Sequence, residues 1–458
     1  MDAHGVTHFL LVVFDGLRPD MVRADTTPNL LRFAAMGTRF AHARSVFPSE
    51  TRVCSSTVVT GCLPRRHGLV ANHIADPRDP ARSIDTGDVA ALRALAEHER
   101  LLDVPTLGEL LAGAGRDLVV LSSGTTGQTY MLNPMADALG QVTVSAHGPV
   151  GCSAAGRKLL EAVDPPPTGP VERAVWIAEL FRTRFLPAPP VATILWLCEP
   201  DTSGHYQGLF SEAQCAALRQ ADAAFGRILD DWDPAALTIA VASDHGHAGI
   251  SGLFDVGAAL AELNGFAGCT LLRGSSCGLF VPDAHADHIA GLATWLIRQD
   301  WVGSVFAADL AELPHGVLPR SALLADHRRA AHVLFTLRSR DGTTLYDGNL
   351  PVGGGTHGGL LGEELRIVLM LAGAGIAAGV SAIPAGLVDI APTALALLGL
   401  GGWQTMDGRV LSEAFAGGAA PTDSIVPETW EAAEAGYAQR LSRTRLGRHV
   451  YLEEGIRL

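Results

Sequence analysis

The sequence has no CxxC pair. Its seven cysteines, Cys54, Cys62, Cys152, Cys198, Cys215, Cys269 and Cys277, are odd in number and scattered in spacing. That speaks against a zinc ribbon and against a disulfide framework, and fits buried thiols in a reducing compartment. An excess of basic charge is also missing. A formal net charge of −14 argues against general binding of nucleic-acid polymers, whose phosphates attract basic surfaces. It leaves room for a small phosphorylated substrate, because metal ions supply positive charge locally. No basic segment precedes the first apolar run, and that run, Phe9 to Phe14, stops after six residues at Asp15. A signal-peptide core needs more, so a cytoplasmic protein is expected, with no membrane attachment. The stretch 367–388 carries no charge and has the length to span a bilayer. Gly373, Gly375, Gly379, Pro384 and Gly386 break it, so it reads as a buried strand, a loop and a helix start. No internal repeat is evident.

What is present points to a globular protein. Of 458 residues, 48% are hydrophobic and 18% charged, enough for one large domain or two smaller ones. Continuous apolar runs at 8–14, 117–122, 191–198, 237–242 and 367–371 have the pattern of strands buried on both faces. Helical spacing occurs at 106–114, 171–185, 211–229 and 390–398. A further helix opens at Thr27-Pro28-Asn29, with Leu30, Leu31, Phe33 and Ala34 as its apolar face. Strands alternating with helices predict a doubly wound, mostly parallel α/β fold. The charged stretch 76–100 reads as a surface excursion. From 250 to 349 the rhythm changes to short mixed elements, which reads as an inserted α+β cap on a core of 1–249 plus 350–458.

The chemistry centres on the stretch from Phe47 to Asn72. A Pro48-Ser49-Glu50-Thr51 turn precedes a run of small and β-branched residues, the layout of a strand, a tight turn and a helix N-terminus. Free backbone N–H groups there suit a phosphate-like anion, and Thr51 stands where its hydroxyl meets it. That hydroxyl is a poor nucleophile until activated. Candidate activators follow the core strands: Asp15 after the first, Asp201 and His205 after the third, Asp244 and His245 after the fourth, and His357 in a glycine-rich loop. Carboxylates gathered in one crevice repel each other unless cations compensate. Mixed Asp/His ligands favour zinc, with manganese or iron also suited. Six ligands exceed one tetrahedral site, so two divalent ions are expected. Other signals carry less. Gly274-Ser275-Ser276-Cys277-Gly278 matches a nucleophile-elbow pattern, but Leu279-Phe280-Val281-Pro282 after it reads as strand where an elbow needs a helix. His247 is expected to support the ligands from outside, and His67 and His73 to be structural. Asp20 and Asp407 read as turn or capping residues.

These motifs together resemble the alkaline phosphatase superfamily, nearest its nucleotide pyrophosphatase/phosphodiesterase branch. The resemblance rests on Phe14-Asp15-Gly16-Leu17-Arg18-Pro19-Asp20, Thr27-Pro28-Asn29-Leu30, Phe47-Pro48-Ser49-Glu50-Thr51, Val59-Thr60-Gly61 and His67-Gly68-Leu69-Val70-Ala71-Asn72. It continues through Glu199-Pro200-Asp201, Gly204-His205, Ser243-Asp244-His245-Gly246, Thr356-His357-Gly358-Gly359, Val388-Asp389-Ile390-Ala391-Pro392-Thr393 and Met406-Asp407-Gly408-Arg409. It covers the core and leaves 250–349 outside. The resemblance implies one zinc held by Asp201, His205 and His357, and a second by Asp15, Asp244 and His245 with the Thr51 oxygen bridging toward it. It also implies that Asn72 and the Thr51 N–H donate to a substrate oxygen. The implied activity is hydrolysis of phosphodiester, nucleotide pyrophosphate or phosphonate bonds through a phospho-threonine. A phosphomonoesterase or sulfatase with the same site, or a non-catalytic metal-bound binding protein, are the alternatives. One departure stands out. Branch members usually follow the nucleophile with an aromatic residue or Asn and then Pro-Asn, whereas Thr51 is followed by Arg52-Val53-Cys54. Arg52 either faces the substrate or lies on the helix surface. The CxPSR pattern of sulfatases is absent.

Overall fold

Every position of the run His8–Phe14 after the first is buried. Such a strand must have both faces covered, and the two faces separate by alternation. Leu10, Val12 and Phe14 join one core cluster with Phe33, Phe181 and Phe225, which come from the helices Pro28–Met36, Pro170–Arg184 and Glu212–Asp231. Phe9, Leu11 and Val13 join the other with Val53, Leu111 and Leu395, from the helices Thr51–Thr60, Leu107–Gly113 and Ile390–Leu397. A computed structural model of the chain describes residues 6–76, 79–263, 268–281 and 284–458. The parts of the N-terminal stretch, the 76–100 stretch and the 250–349 stretch at 1–5, 77–78, 264–267 and 282–283 lie outside the described residues, Pro282 among them.

The central sheet has eight strands, in the order Gly379–Ser381, Thr38–Phe40, Leu369–Ala372, Leu237–Ala242, His8–Phe14, Ala192–Leu197, Leu118–Ser122, Val142–Ser145. Leu369–Ala372 is antiparallel to both neighbours and the remaining pairings are parallel. This is the doubly wound α/β arrangement. The register brings Phe14 opposite Leu197 and Val13 opposite Ala242. Three neighbouring strands therefore end at one level, and the residues just past them share a crevice.

Two expectations need correction. Leu31 is 39% exposed: Leu30 and Phe33, three apart, define the inward side of their helix, and the next position after Leu30 turns outward. The stretch 76–100 is more than a surface excursion. Its first part pairs with His73–Asp76 in an antiparallel hairpin, and the helix Val89–Ala96 buries Val89, Leu92 and Leu95 at helical spacing. In the stretch 367–388 a central strand and an edge strand replace any long helix. No helix among the described residues is long and apolar enough to cross a membrane.

Between 250 and 349, five strands form a second sheet, Thr270–Leu272, Ser276–Phe280, Val333–Leu337, Val302–Ala307 and Leu318–Pro319. The helix Ala286–Leu296 packs on it through Ile289, Leu292 and Leu296. Ser276 begins a strand, so the Gly274–Gly278 pattern has no elbow geometry. A three-stranded antiparallel sheet, Ile425–Glu434, Tyr437–Leu446 and His449–Arg457, closes the chain. Its Tyr437 enters the hydrophobic cluster of the 250–349 stretch.

Candidate active site

Thr51 is the first residue of a ten-residue helix ended by Gly61 in a left-handed conformation. Val53 to Thr60 are all buried. Small hydroxyl residues can be buried here because they bond their own helix: Ser55 donates to the Thr51 carbonyl at 2.7 Å and Thr60 to the Ser56 carbonyl at 2.6 Å. Glu50 occupies the N-cap position without capping. Its carboxylate instead accepts from the backbone N–H of Asn72, which leaves the Thr51 N–H at the helix start uncapped.

Six side chains expected at the strand ends come together around Thr51. The Thr51 hydroxyl lies 3.2 Å from His245 Nε2. The same nitrogen is 3.4 Å from Asp15 Oδ1 and 3.3 Å from Asp244 Oδ2. Asp201 Oδ1 lies 3.2 Å from His205 Nε2 and 3.6 Å from His357 Nε2. His247, expected to support from outside, brings its Nε2 within 3.0 Å of the same oxygen. The closest ligand groupings among the described residues are Asp15, Asp244 and His245; Asp201, His205 and His247; and Asp201, His245 and His357. The set Asp201, His205 and His357 is not one of these groupings. Both histidines reach Asp201, but their ring centres stand 5.1 Å apart and His247 fills in.

The hydrogen bonds behind the ligands decide what the centre fits. Each of the four histidines turns Nδ1 to a backbone carbonyl: His205 to Gly355 at 2.7 Å, His245 to Gly246 at 2.9 Å, His247 to Gly16 at 3.1 Å, His357 to Ser49 at 2.8 Å. The proton then sits on Nδ1, and the Nε2 lone pair points inward. Each carboxylate of the Asp15–Asp244 pair is tied by one oxygen only. Trp196 donates to Asp15 Oδ2 at 2.8 Å, and the Gly16 N–H to Asp244 Oδ1 at 3.0 Å. Asp15 Oδ1, Asp244 Oδ2 and Asp201 Oδ1 are buried with no hydrogen-bond partner. Lone pairs thus face lone pairs, an arrangement that cations resolve.

The electrostatics agree. Burial, with Asp244 and Asp201 nearby, pushes Asp15 well above the usual carboxylate range, and burial lifts Asp244 to about 8. Burial depresses His245 to about 3 and holds His357 well below an ordinary imidazole. Burial opposes charge on Asp201 as well, and it falls well below the usual range only where His205 and His247 carry protons, a positive charge that bound cations would supply in their place. The residues present fit divalent cations with nitrogen and oxygen ligands. Gly16 completes the packing: at φ +68°, a Cβ there would lie 2.3 Å from His247 and 3.0 Å from Asp201.

Beside Thr51 a cavity of about 330 Å³ opens, lined by Asp15, Asp201, His205 and His357 together with Asn72, Arg52 and Arg173. Arg52 therefore faces the cavity. Tyr206 borders both this cavity and a second one of about 470 Å³, which Leu271, Arg273 and Tyr346 of the 250–349 stretch also line. Sequence reasoning missed the supports of Asn72. The Asn72 carbonyl accepts from Thr86 Oγ1 at 2.7 Å and from the Thr86 N–H at 3.0 Å, while its Oδ1 accepts from the Arg52 N–H at 3.4 Å. Only the fold brings Thr86 there, so no local signal announced it.

Fold and site place the chain in the alkaline phosphatase superfamily. Within it, the chain belongs to the type I phosphodiesterase / nucleotide pyrophosphatase family, whose model matches residues 9–321. That match runs into the 250–349 stretch, which the motifs had left outside. Among curated relatives, the mouse bis(5'-adenosyl)-triphosphatase enpp4 is 37% identical over 67 residues, 15% of each chain. The human ectonucleotide pyrophosphatase/phosphodiesterase family member 5 is 36% identical over 77 residues, 17% of this chain and 16% of that one. The aligned part thus spans about one sixth of the curated relatives or less. The solved structure of murine ectonucleotide pyrophosphatase/phosphodiesterase 5, an inactive form in complex with AMP, has the same fold. It matches with a TM-score of 0.61 at 18% identity, over 86% of this chain and 96% of that one.

Proposed function

We propose that the protein is a metal-dependent hydrolase of phosphodiester, nucleotide pyrophosphate or phosphonate bonds, with Thr51 as nucleophile. One observation carries this reading: four inward imidazole nitrogens and three unpartnered carboxylate oxygens surround a threonine hydroxyl at a helix N-terminus. Two divalent ions, zinc favoured and manganese suited, would be held by Asp15, Asp244 and His245 with the Thr51 oxygen, and by Asp201, His205 and His357. His247 stands close enough to Asp201 to share the second set. When bound, such ions lower the pKa of the threonine hydroxyl and offset the charge of the phosphoryl oxygens.

The chain supplies the rest. Thr51 Oγ1 gives up its proton and attacks phosphorus, and the group bonded to phosphorus (an ester or anhydride oxygen, or the carbon of a phosphonate) departs with its electron pair and takes up a proton. Water then cleaves the phospho-threonine, restoring the Thr51 hydroxyl and releasing the phosphoryl product. Asn72 Nδ2 and the Thr51 N–H donate to the non-bridging oxygen on which charge grows. The cavity accepts a small phosphorylated or phosphonate substrate. The division into a core of 1–249 plus 350–458 and a cap of 250–349 belongs to this reading, and the second cavity, lined from both parts, supports it. Seven free cysteines support a cytoplasmic site of action.

The test is hydrolysis of bis-p-nitrophenyl phosphate, p-nitrophenyl phosphate, a phenylphosphonate ester and p-nitrophenyl sulfate, with zinc and with chelator. The diester or phosphonate is expected to be preferred, and chelator to abolish turnover. In Thr51→Ala, hydrolysis should fall by several orders of magnitude while metal content stays near wild type. Preference for the monoester or sulfate would move the protein to that chemistry, and activity surviving in Thr51→Ala would remove the nucleophile assignment.

A further inference from the structure

Besides the carboxylates and the ligand imidazoles, the cavity has a basic and polar lining. Arg52, Ser123, Thr125, His147 and Arg173 form it. None of these offers a broad aromatic face, and Tyr206, at the cavity's edge, is 61% exposed. A nucleobase is held by rings that stack on it, and here Tyr206 at the rim is the one large aromatic ring in the lining. The lining supplies guanidinium groups instead.

Arg173 carries the argument. It stands in the first turn of the helix Pro170–Arg184, at the cavity wall. One of its terminal nitrogens donates to the Thr168 carbonyl. Its Nε is buried with no hydrogen-bond partner, and no carboxylate pairs with Arg173 among the described residues. An arginine that lines a cavity with one donor unpartnered and no carboxylate beside it awaits an acceptor, and a planar anion satisfies its fork best. Arg52 adds a second cation. Its Nε donates to Thr86 Oγ1 at 2.9 Å, and its acidic neighbour Asp85 is 3.3 Å from one terminal nitrogen and itself half exposed. That bracing fixes the guanidinium and leaves its charge incompletely matched. In a chain of net charge −14, two arginines turned to one small cavity are a local reversal of sign that draws in an anion.

We propose that this wall binds a second anionic group on the substrate, a carboxylate or a phosphate-class group, so that the substrate is a compact acid charged at both ends. Arg173 is the principal contact, with Arg52 and His147 alongside. The proposal rests on the catalytic reading above for the placement of the phosphoryl end at Thr51, and its test separates the two.

Binding to zinc-loaded Thr51→Ala protein is measured by calorimetry. The ligands are 2-carboxyethylphosphonate, its neutral amide 2-carbamoylethylphosphonate, ethane-1,2-diphosphonate and AMP. The carboxylate should bind about tenfold or more tighter than the amide, as a charged hydrogen bond implies. That preference should collapse toward one in Arg173→Gln and return in part in Arg173→Lys, which a purely structural role for Arg173 does not predict. The diphosphonate against the carboxylate shows which anion the wall prefers, and either result supports the proposal. Equal binding of acid and amide, a preference that survives Arg173→Gln, or AMP binding tightest and unaffected by Arg173→Gln would overturn it. Wild-type hydrolysis of the four test substrates is the separate control. Turnover of any of the four test substrates without acid preference sinks this inference alone, and acid preference with no turnover of any of them sinks the catalytic reading alone.

Discussion

Asn72 is held at three points before any substrate arrives. Its N–H is engaged by the Glu50 carboxylate, its carbonyl by Thr86, and its side-chain oxygen by the Arg52 N–H. With Oδ1 occupied, the amide presents Nδ2 to the cavity, the orientation an oxyanion donor needs. A donor fixed in advance costs nothing to reorganise during reaction. Asn72→Ala should therefore lower kcat by about 10²–10³ with zinc content unchanged, read by steady-state kinetics and metal analysis on one preparation. Thr86→Val removes one support and leaves the donor in place. It should give a smaller drop in kcat, and an unchanged kcat would show that the other two supports suffice. Five of the gathered residues were legible in the sequence because each follows an apolar run, where a strand end can be read directly, and His357 because it stands in a glycine-rich loop. His247 was not. It lies two residues past His245, where a sequence shows adjacency but not which way a ring turns.

The segment after the Thr51 helix is keyed by one buried histidine. His67 is fully buried, and its Nδ1 accepts from the Leu69 N–H at 3.2 Å, so its proton sits on Nε2 and meets Thr57 Oγ1 at 3.0 Å. Burial, with His327 and Arg329 adding repulsion, lowers it from 6.5 to about 3. The unfolded chain then binds a proton that the folded one refuses between these values. Its contribution is fully present above pH 6.5 and is lost as pH falls toward 3, with a limiting slope of about 1.4 kcal/mol per pH unit. Urea midpoints of His67→Gln and wild type, compared at pH 7.5, 5.5 and 4.5, should converge as pH falls. Parallel curves would refute the assignment. Elements read well from the sequence where burial was two-sided, as in His8–Phe14, or where helical spacing was sustained, as over 211–229. They read poorly where polar residues dominate. The 73–85 hairpin gains its order from pairing rather than from a pattern of its own. The strand Ile425–Glu434 alternates only between exposed and half-buried positions, too weak a contrast to mark it.

Across the whole molecule, the terminal sheet and the 250–349 stretch share one core. Gln439 is fully buried between them. Its Nε2 donates to the carbonyls of Val305 and Gly316 at 2.8 and 2.7 Å, and its Oε1 accepts from the Val305 N–H at 3.0 Å. Gln439→Leu keeps the bulk and strands three buried backbone groups, so it should cost about 2–5 kcal/mol, measured by thermal or denaturant unfolding. A loss below about 1 kcal/mol would mean that water or backbone shifts replace the bonds. Tyr437 reinforces the join by donating to the Gly303 carbonyl at 2.8 Å. These partners lie 134 residues apart in sequence. At a synthesis rate of roughly 5–20 residues per second, about 7–27 seconds separate the appearance of Val305 from that of Gln439. Val333–Leu337 and Leu318–Pro319 pair with the strand Val302–Ala307 early in that interval, but until residues 437–439 arrive its Val305 N–H and the Gly303 and Val305 carbonyls stay open along one edge, the kind that joins the wrong chain. The nascent protein is then at its most exposed to aggregation well after its nucleophile and most of its ligands have been made, and a chaperone that shields that edge would act in this window of time.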